Sequence, residues 1–585
     1  MTMAPRFIGL VSDDGDAHAH LRDRLKGGQW QCVCASKRLS AFTNGADIGL
    51  PLADQSGAVA GHLFNRPDFQ VVTTLDNPFS QKIVETQGRL LVTACWGGYV
   101  AFVTDADGHT IHVLRDPSGA MPCVYTQSRQ DWIFASDITA LSLASQQSPT
   151  VDTAALARFL KSYDLRDART CLSGIEELLA GFRLSVGARG QGLTAIWSPW
   201  DFVEPLSETS PEDLASDLRT VVLACVNAWA GRFAHTLLSV SGGLDSSILT
   251  ACLKTGGHRT SYLTLATNEA VGDERAYARV LAAHLKVEIT EAHYDMADID
   301  VTRSSASHLP RPVQYAYGQG EHAAKLRIVR ERDIDALMTG IGGDNVFCSM
   351  HSGTPLVDSV YARGLNTESL GTLMDICALT GASVLEIGGL AIEKALAGNR
   401  PYRWLYDDSF LHPDVVAQAD RISGHPWLTP PKGALPGKAA HIVKLVRIQG
   451  TIDGFSRDDT PPQINPLLSQ PIVEACLRIP TWEWVRGGRD RSIARLAFAG
   501  DLPAEIVQRR SKGGPDSFAF DIIDRNRRVL CDRLVNGELR RLRLIDPVAI
   551  HDALDPERAI DPMQYLRLSG LAEAEAWVRH WGTKP

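Results

Sequence analysis

The sequence predicts two folded units. A strand-rich α+β layered domain spans residues 1–205, and an α/β domain on a parallel sheet, with a helical C-terminal part, spans 206–585. Three observations predict this. Short apolar runs separated by turn signals fill the first third of the chain. Beyond a proline-, serine- and acid-rich stretch, strand-like and helix-like segments alternate, the pattern of a parallel sheet with helical crossovers. Two glycine loops, each carrying an aspartate, then fall at strand-to-helix turns, where such sheets bind ligands.

Taken in order, the strand-like runs of the first unit are RFIGLVS, FQVVTTL, GRLLVTACW, YVAFVTD, HTIHVLRD and WIFASD, with DADG and DPSG as turns. DFVEPLSETSPE (201–212) reads as a linker that ends in a helix cap. DLASDLRTVVLACVNAWAG (213–231) has helical spacing, and HTLLSV (235–240) is a strand. SSILTACLKTG (246–256) is a short helix, TSYLTLAT (260–267) a second strand, and DERAYARVLAAHL (273–285) another helix. RDIDALMTG (332–340) closes a helix and supplies a third strand, and the chain beyond about residue 350 reads mostly helical. A chain of 585 residues exceeds what one core organises, so two or three domains are expected.

Composition excludes several classes. Apolar residues make up 44% and charged residues 22%, as in a folded soluble protein. A formal net charge of −9 opposes a nucleic-acid partner, which calls for a basic face. MTMAPRFIGLVSDDG has no long apolar core of a signal peptide, and no uncharged apolar run reaches the roughly 18 residues of a membrane span. Eleven cysteines are scattered, and Cys32 and Cys34 form only a C-x-C pair, which reads as reduced thiols in the cytoplasm.

The chemistry concentrates in SVSGGLDSSILT (239–250). Gly242 and Gly243 permit a tight turn and close approach of backbone to ligand. The N–H groups at the following helix start favour an anion, and Ser239, Ser241, Ser246 and Ser247 add hydroxyls. Asp245 would repel a phosphate unless a cation stood between them, and Mg²⁺ suits a carboxylate with phosphate oxygens. The pattern G-x-x-x-x-G-K-S/T of a P-loop is absent. LMTGIGGDNVF (337–347) repeats the form of strand, glycine loop and aspartate, with Gly340, Gly342, Gly343 and Asp344. Asp245 and Asp344 are therefore expected to share magnesium. Taken alone, GIGGD is explained equally well by an Asx turn.

These segments resemble the synthetase domain of the asparagine synthetase family, in which an ATP-pyrophosphatase sheet adenylates a carboxylate. SGGLDSS is similar to its pyrophosphate loop, and GIGGDNVF to its S-G-E-G-A-D-E-V-F segment. The resemblance makes Asp245 and Asp344 the magnesium ligands. It places Tyr262 and Leu263, at the start of 262–266, where family members hold adenine through backbone contacts. DERAYARVLAAHL is similar to its D-E-x-x-Y-A helix and INPLLSQPIVEACLRIP (464–480) to V-P-F-L-D-x-P-L-V-E. RRSKGG (509–514) is similar to the loop bearing the catalytic lysine, so Lys512 inherits contact with the nucleotide and the catalytic role. GHLFNRPDF (61–69) and LRDPSGAMPCVY (114–125) resemble the family's glutaminase domain, an Ntn-hydrolase fold.

The departures set the finer expectation. Family glutaminases carry cysteine directly after the initiator methionine, where this chain has Thr2, a weaker nucleophile, so the first domain is expected to lack glutaminase chemistry. Ser469 replaces the aspartate of P-F-L-D, and DTPPQ (459–463) replaces the glutamate and arginine of small-acid synthetases, which suggests a changed acceptor pocket. NPLLSQPIVEACLRIP, GGRDRSIARLAF and RRSKGG resemble most the lasso peptide macrocyclases. That resemblance implies an isopeptide bond between the N-terminal amine of a precursor core peptide and an Asp or Glu side chain. It also implies ATP, Mg²⁺ and a leader-binding lasso peptidase as partner. Asparagine synthetase and beta-lactam synthetase remain the alternatives. A non-enzymatic scaffold is disfavoured by the retention of Asp245, Asp344 and Lys512. Beta-lactam synthetases use a tyrosine–glutamate pair as base, and Tyr315, Tyr317 and Glu321, in PRPVQYAYGQGEH, are candidates for that pair, with a core or substrate-groove role for the tyrosines as the equal alternative.

Overall fold

The computed structural model describes residues 3–582 except 129, 163–164, 188–189, 205–208, 268–272, 314–316, 399–401, 403, 418–423, 455–456, 458–459, 511–512 and 514–515. Thr2, Tyr315 and Lys512 lie outside the described residues.

The N-terminal domain has four layers. One six-stranded antiparallel sheet runs β10 (Ile175–Glu177), β8 (Val124–Ser128), β9 (Asp131–Ala135), β1 (Phe7–Val11), β3 (Leu39–Thr43), β2 (Gln31–Ala35). The other runs β12 (Gly190–Ala195), β11 (Phe182–Gly187), β7 (Thr110–Arg115), β6 (Cys95–Thr104), β5 (Gly57–Asn65), β4 (Gly49–Pro51). Alternation along each strand sends one set of side chains between the sheets and the other outward. Phe7 and Val11 join Val100 and Phe102 in the shared core, whereas Ile8 and Leu10 pack with the helices Gly15–Leu25 and Ile138–Ser145. Tyr99, Ala101 and Val103 face the helices Asn77–Glu85 and Arg89–Ala94. Both faces are buried, which is why these strands read as continuous apolar runs.

Two of the expected strands are corrected. GRLLVTACW divides, with Arg89–Ala94 forming a helix and β6 starting only at Cys95. The run has a helical stripe, Leu91 and Val92 being buried, and its apolar content did not separate the two. FQVVTTL is not a strand beyond the single bridge Phe64 to Val71.

The second domain follows the expected order closely. Ser210 caps the helix Pro211–Ala230 by accepting from the Asp213 N–H. Then come β13 (Thr236–Ser239), the helix Leu244–Thr255, β14 (Thr260–Ala266), the helix Arg275–Leu285 and β15 (Ile289–His293). The helix Gly318–Arg332 leads to β16 (Ala336–Met338), and β17 (Gln463–Ile464) joins after a long helical excursion. The sheet is parallel, in the order β15–β14–β13–β16–β17. The chain moves one way from β13 to β14 and the other way to β16, so the loops after β13 and β16 lie side by side at the point where strand order reverses. A crevice at the carboxyl ends of the strands is the ligand position of such sheets.

Among the described residues no single helix is long and apolar enough to cross a membrane. All eleven cysteines are free thiols.

Candidate active site

At that switch point lies a cavity of about 530 Å³. Its floor is the loop after β13 with Ser239, Ser241, Gly243, Asp245 and Ser246, and the loop after β16 with Gly340, Gly342 and Asp344. The two loops are built for close approach. Gly242 has φ +67, and a Cβ there would fall 2.6 Å from Tyr277 Cβ. Gly342 has φ +89 and abuts the Leu468 side chain, a conformation that residues with a Cβ rarely adopt. Gly343 has ordinary φ, but a Cβ would land 2.3 Å from Asp245 Cγ.

Hydroxyls organise the first loop. The Ser241 N–H donates to Ser246 Oγ at 3.2 Å, and the Gly243 N–H donates to Ser241 Oγ at 3.3 Å. Ser239 Oγ is buried and has no hydrogen-bond partner, although the residue lines the cavity. An orphaned hydroxyl beside the open N–H groups of a helix start fits an oxyanion ligand. Of the two residues expected near adenine, Leu263 lines the cavity, while Tyr262 packs into the main core on the other face of β14.

The two aspartates do converge. Arg491 Nη1 donates to both carboxylate oxygens of Asp245 at 3.2 Å and also to Asp344 Oδ1. Its Nε donates to Asp490 Oδ2 at 2.7 Å. Burial alone would lower the Arg491 pKa, but Asp245, Asp344 and Asp490 outweigh it and hold the guanidinium charged. Burial likewise favours the neutral form of Asp490, and Arg491 and Arg495 reverse this and keep it ionised. Two carboxylates within reach of one cation are the donor set a hard divalent metal needs.

Lys512 lies outside the described residues, and its neighbours Arg509 and Gly513 are tied to the cavity. Arg509 Nη2 donates to Glu274 Oε1 at 2.6 Å, its Nη1 donates to the Gly242 carbonyl at 3.0 Å, and its guanidinium stacks 3.8 Å over the Tyr277 ring. The Gly513 N–H donates to the same Glu274 oxygen at 3.0 Å, and Gly513 lines the cavity. Glu274 and Tyr277 thus join Arg509 and Gly513 to the phosphate loop.

Tyr294, Val313, Tyr317, Glu321, Ile448 and Thr451 are among the residues that form the wall. Glu321 pairs with the buried Lys325 at 2.5 Å. Burial, then the charges of Glu321 and Glu274, push the Tyr294 phenol well above its ordinary pKa.

The residues expected to reshape the acceptor pocket lie elsewhere. Thr460, Pro461, Pro462, Gln463 and Ser469 line a second cavity, of about 70 Å³, between the domains, together with Ala4, His62 and Ser118. They do not border the large cavity. Sequence reasoning also missed Arg491, Arg509 and Glu274 as site residues. The signal was present in GGRDRSIAR and RRSKGG, where arginines crowd into glycine-flanked segments of an acidic chain.

Residues 70–197 match the glutamine amidotransferase domain, and residues 218–386 and 464–579 match the asparagine synthase family. A stretch of 234 residues, 39% of this chain, is 24% identical to the asparagine synthetase (glutamine-hydrolysing) 3 of Bacillus subtilis strain 168 and spans 36% of that protein's length. Two solved structures each cover 57% of this chain at 9% identity with a TM-score of 0.22. They are the B. subtilis glutamine phosphoribosylpyrophosphate amidotransferase complexed with ADP and GMP, 90% covered, and an allosteric regulatory enzyme of purine biosynthesis, 89% covered. At that score they carry no argument, and the layered fold rests on the chain's own sheets.

Proposed function

The chain belongs to the asparagine synthetase family, a glutamine amidotransferase domain joined to an asparagine synthase domain, and from that premise we propose that it is an ATP-dependent amide-forming ligase acting as a lasso peptide macrocyclase. One observation carries the ligase reading: Asp245 and Asp344, on two glycine loops, converge on one cation, the Arg491 guanidinium, at the floor of a cavity that Arg509 and Gly513 also line.

The chemistry follows from the residues. Direct displacement of oxide from a carboxylate by an amine is prohibitive. A side-chain carboxylate of the peptide instead attacks the α-phosphorus of ATP, and the bond to the bridging oxygen breaks, so pyrophosphate leaves. The loop with Ser241, Gly243 and Ser246 receives it. Magnesium, held by Asp245 and Asp344, would supply charge neutralisation there. Lys512 stabilises the oxyanion as the amine adds to the acyl carbon and AMP departs. A peptide α-amine, with a pKa of roughly 7.7–8.0, is partly neutral at pH 7, so only a weak base is needed, for which Tyr317 and Glu321, both lining the cavity, are the candidates.

The macrocyclase reading is supported by the resemblance of NPLLSQPIVEACLRIP, GGRDRSIARLAF and RRSKGG, and the partly apolar, aromatic walls of Tyr294, Val313, Tyr317 and Ile448 are compatible with a peptide substrate. The substrate is then a precursor peptide with a threaded core, the partner a leader-binding peptidase, and the location cytoplasmic.

The test is incubation with Mg²⁺, ATP and linear peptides that have a free N-terminal amine and an internal Asp or Glu. AMP and pyrophosphate should appear with a peptide lighter by one water, and N-acetylated peptide should never lose water. ADP and phosphate as products would sink the adenylation mechanism. Conversion of aspartate and ammonium to asparagine, with no reaction on any peptide, would favour asparagine synthetase.

A further inference from the structure

The cluster around Arg491 has a consequence for the order in which the site fills. Its side chain is only 10% exposed, and its guanidinium bridges Asp245 and Asp344, the two carboxylates that the proposed function assigns to the metal. It is braced from behind. Asp490 accepts from Arg491 Nε and from Arg495 Nη2, both at 2.7 Å, and Arg495 also donates to the Asp490 and Val507 carbonyls at 2.8 Å each. Arg491 adopts φ +53, and Gly487 and Gly488 just before it have φ +71 and +65. A left-handed backbone at a long side chain is held only where its surroundings fix it. The chain therefore turns sharply to deliver this guanidinium to the two aspartates.

Two like charges brought together in a partly buried floor repel each other unless a cation lies between them. With Arg491 there, a divalent ion meets an occupied site and a like charge. To bind, it must push the guanidinium off both aspartates, and its own attraction to them is set against those lost pairs and against repulsion from a guanidinium that Asp490 holds close by. A metal arriving on a triphosphate brings negative charge with it, and that offsets the repulsion between the two cations. We infer that Arg491 is a resident counter-cation for Asp245 and Asp344, so that the site admits divalent metal together with nucleotide and not before it. The inference rests on the assignment of these aspartates to the metal.

The experiment uses the full chain and Mn²⁺, whose free aquo ion is counted by electron paramagnetic resonance. Without nucleotide, the wild type should leave Mn²⁺ free over a range in which Arg491→Gln binds it, with affinity raised roughly tenfold or more. Arg491→Lys keeps the charge and should gain much less. It also shows whether losing the side chain's charge, and not its shape, opens the site. With a non-hydrolysable ATP analogue, which itself chelates Mn²⁺, the wild type should lower free Mn²⁺ below that of a protein-free mixture of the same metal and analogue. Equal nucleotide-free binding by wild type and Arg491→Gln, or an equal gain in both variants, overturns the inference and leaves the proposed function standing. Absence of Mn²⁺ binding by the wild type even with the ATP analogue overturns the metal assignment itself. Circular dichroism establishes that each variant is folded. If Arg491→Gln is not, Arg491→Met takes its place with the same expected gain.

Discussion

Gly343→Ala is the smallest change that tests the metal floor. Gly343 has ordinary φ, so alanine brings no backbone strain, only one methyl group. That methyl would lie 2.3 Å from Asp245 Cγ, 2.6 Å from its Cβ and 2.7 Å from its Oδ1. Ordinary contact begins at 3.4 Å, so the two loops must separate by about 1 Å. Asp245 is already closely packed by this loop, since a Cβ on Gly340 would also sit 3.3 Å from the Asp245 Cβ. Overpacking of this kind costs about 1–3 kcal/mol of stability. A 1 Å misplacement of a catalytic floor costs roughly 10²-fold in rate.

The assay is pyrophosphate release with peptide and Mg²⁺-ATP, run beside thermal unfolding. Gly371→Ala is the control, since its Cβ would meet nothing within 4 Å on the exposed side of the helix Thr367–Thr380. It should leave turnover unchanged and stabilise the helix by up to about 1 kcal/mol. A folded Gly343→Ala protein with wild-type turnover would refute the reasoning, because the reaction would then not depend on the Asp245–Asp344 spacing.

Lys512→Ala should lower kcat by about 10²–10³ while changing ATP affinity far less; an equal loss in both would make the lysine a binding residue only. Glu274→Ala removes the common acceptor of Arg509 and Gly513, so trypsin should cut at 509–512 sooner than in the wild type; an unchanged time course, followed by mass spectrometry, would show that Glu274 does not hold the loop. His441 is fully buried and donates through Nε2 to the Val346 carbonyl, and burial, with Lys438, holds its pKa down at about 3. Its depressed folded pKa means stability present above the unfolded value near 6.5 and lost as pH falls, by about 2 kcal/mol at pH 5. Denaturant unfolding from pH 7.5 to 5 should therefore show the gap between wild type and His441→Gln narrowing; a constant gap would contradict the assignment.

What could be seen in the sequence was what neighbours in the chain determine. HTLLSV, SSILTACLKTG and TSYLTLAT became β13, a helix and β14 because period and turn chemistry are local. The glycine loops were equally legible, since a turn that approaches a ligand closely demands glycine wherever it lies. Arg491 was not, because its meaning depends on Asp245 being 246 positions away in sequence and 3.2 Å away in space. Nor was the location of Gln463, whose neighbours suggested an acceptor pocket until β17 carried it to the domain boundary. Edge strands β15 and β17 went unseen as well. The first has only partly buried or exposed residues and the second has two residues, so neither shows a buried periodicity.

The domain boundary explains why the first domain matters to the second's chemistry. Glu474, on the helix Gln470–Arg478, accepts from both Nη atoms of Arg66 at 2.8 Å and from Trp197 Nε1 at 2.9 Å. Gln470 Nε2 donates to the Val92 carbonyl at 3.0 Å. These contacts grip the segment that follows β17, and Leu468 in that segment packs against Gly342. Gly342 and Gly343 carry Asp344, and Gly343 sets its distance from Asp245. A displacement of the N-terminal sheets would therefore be transmitted through the Arg66–Glu474 pair and Leu468 to the floor of the site. The pair is substantially buried, with Glu474 side-chain exposure of 3%, so removing one partner leaves a charge stranded at the interface. Through these contacts the packing of the first domain reaches the loop that carries Asp344, one of the two aspartates to which the proposed reaction assigns the metal.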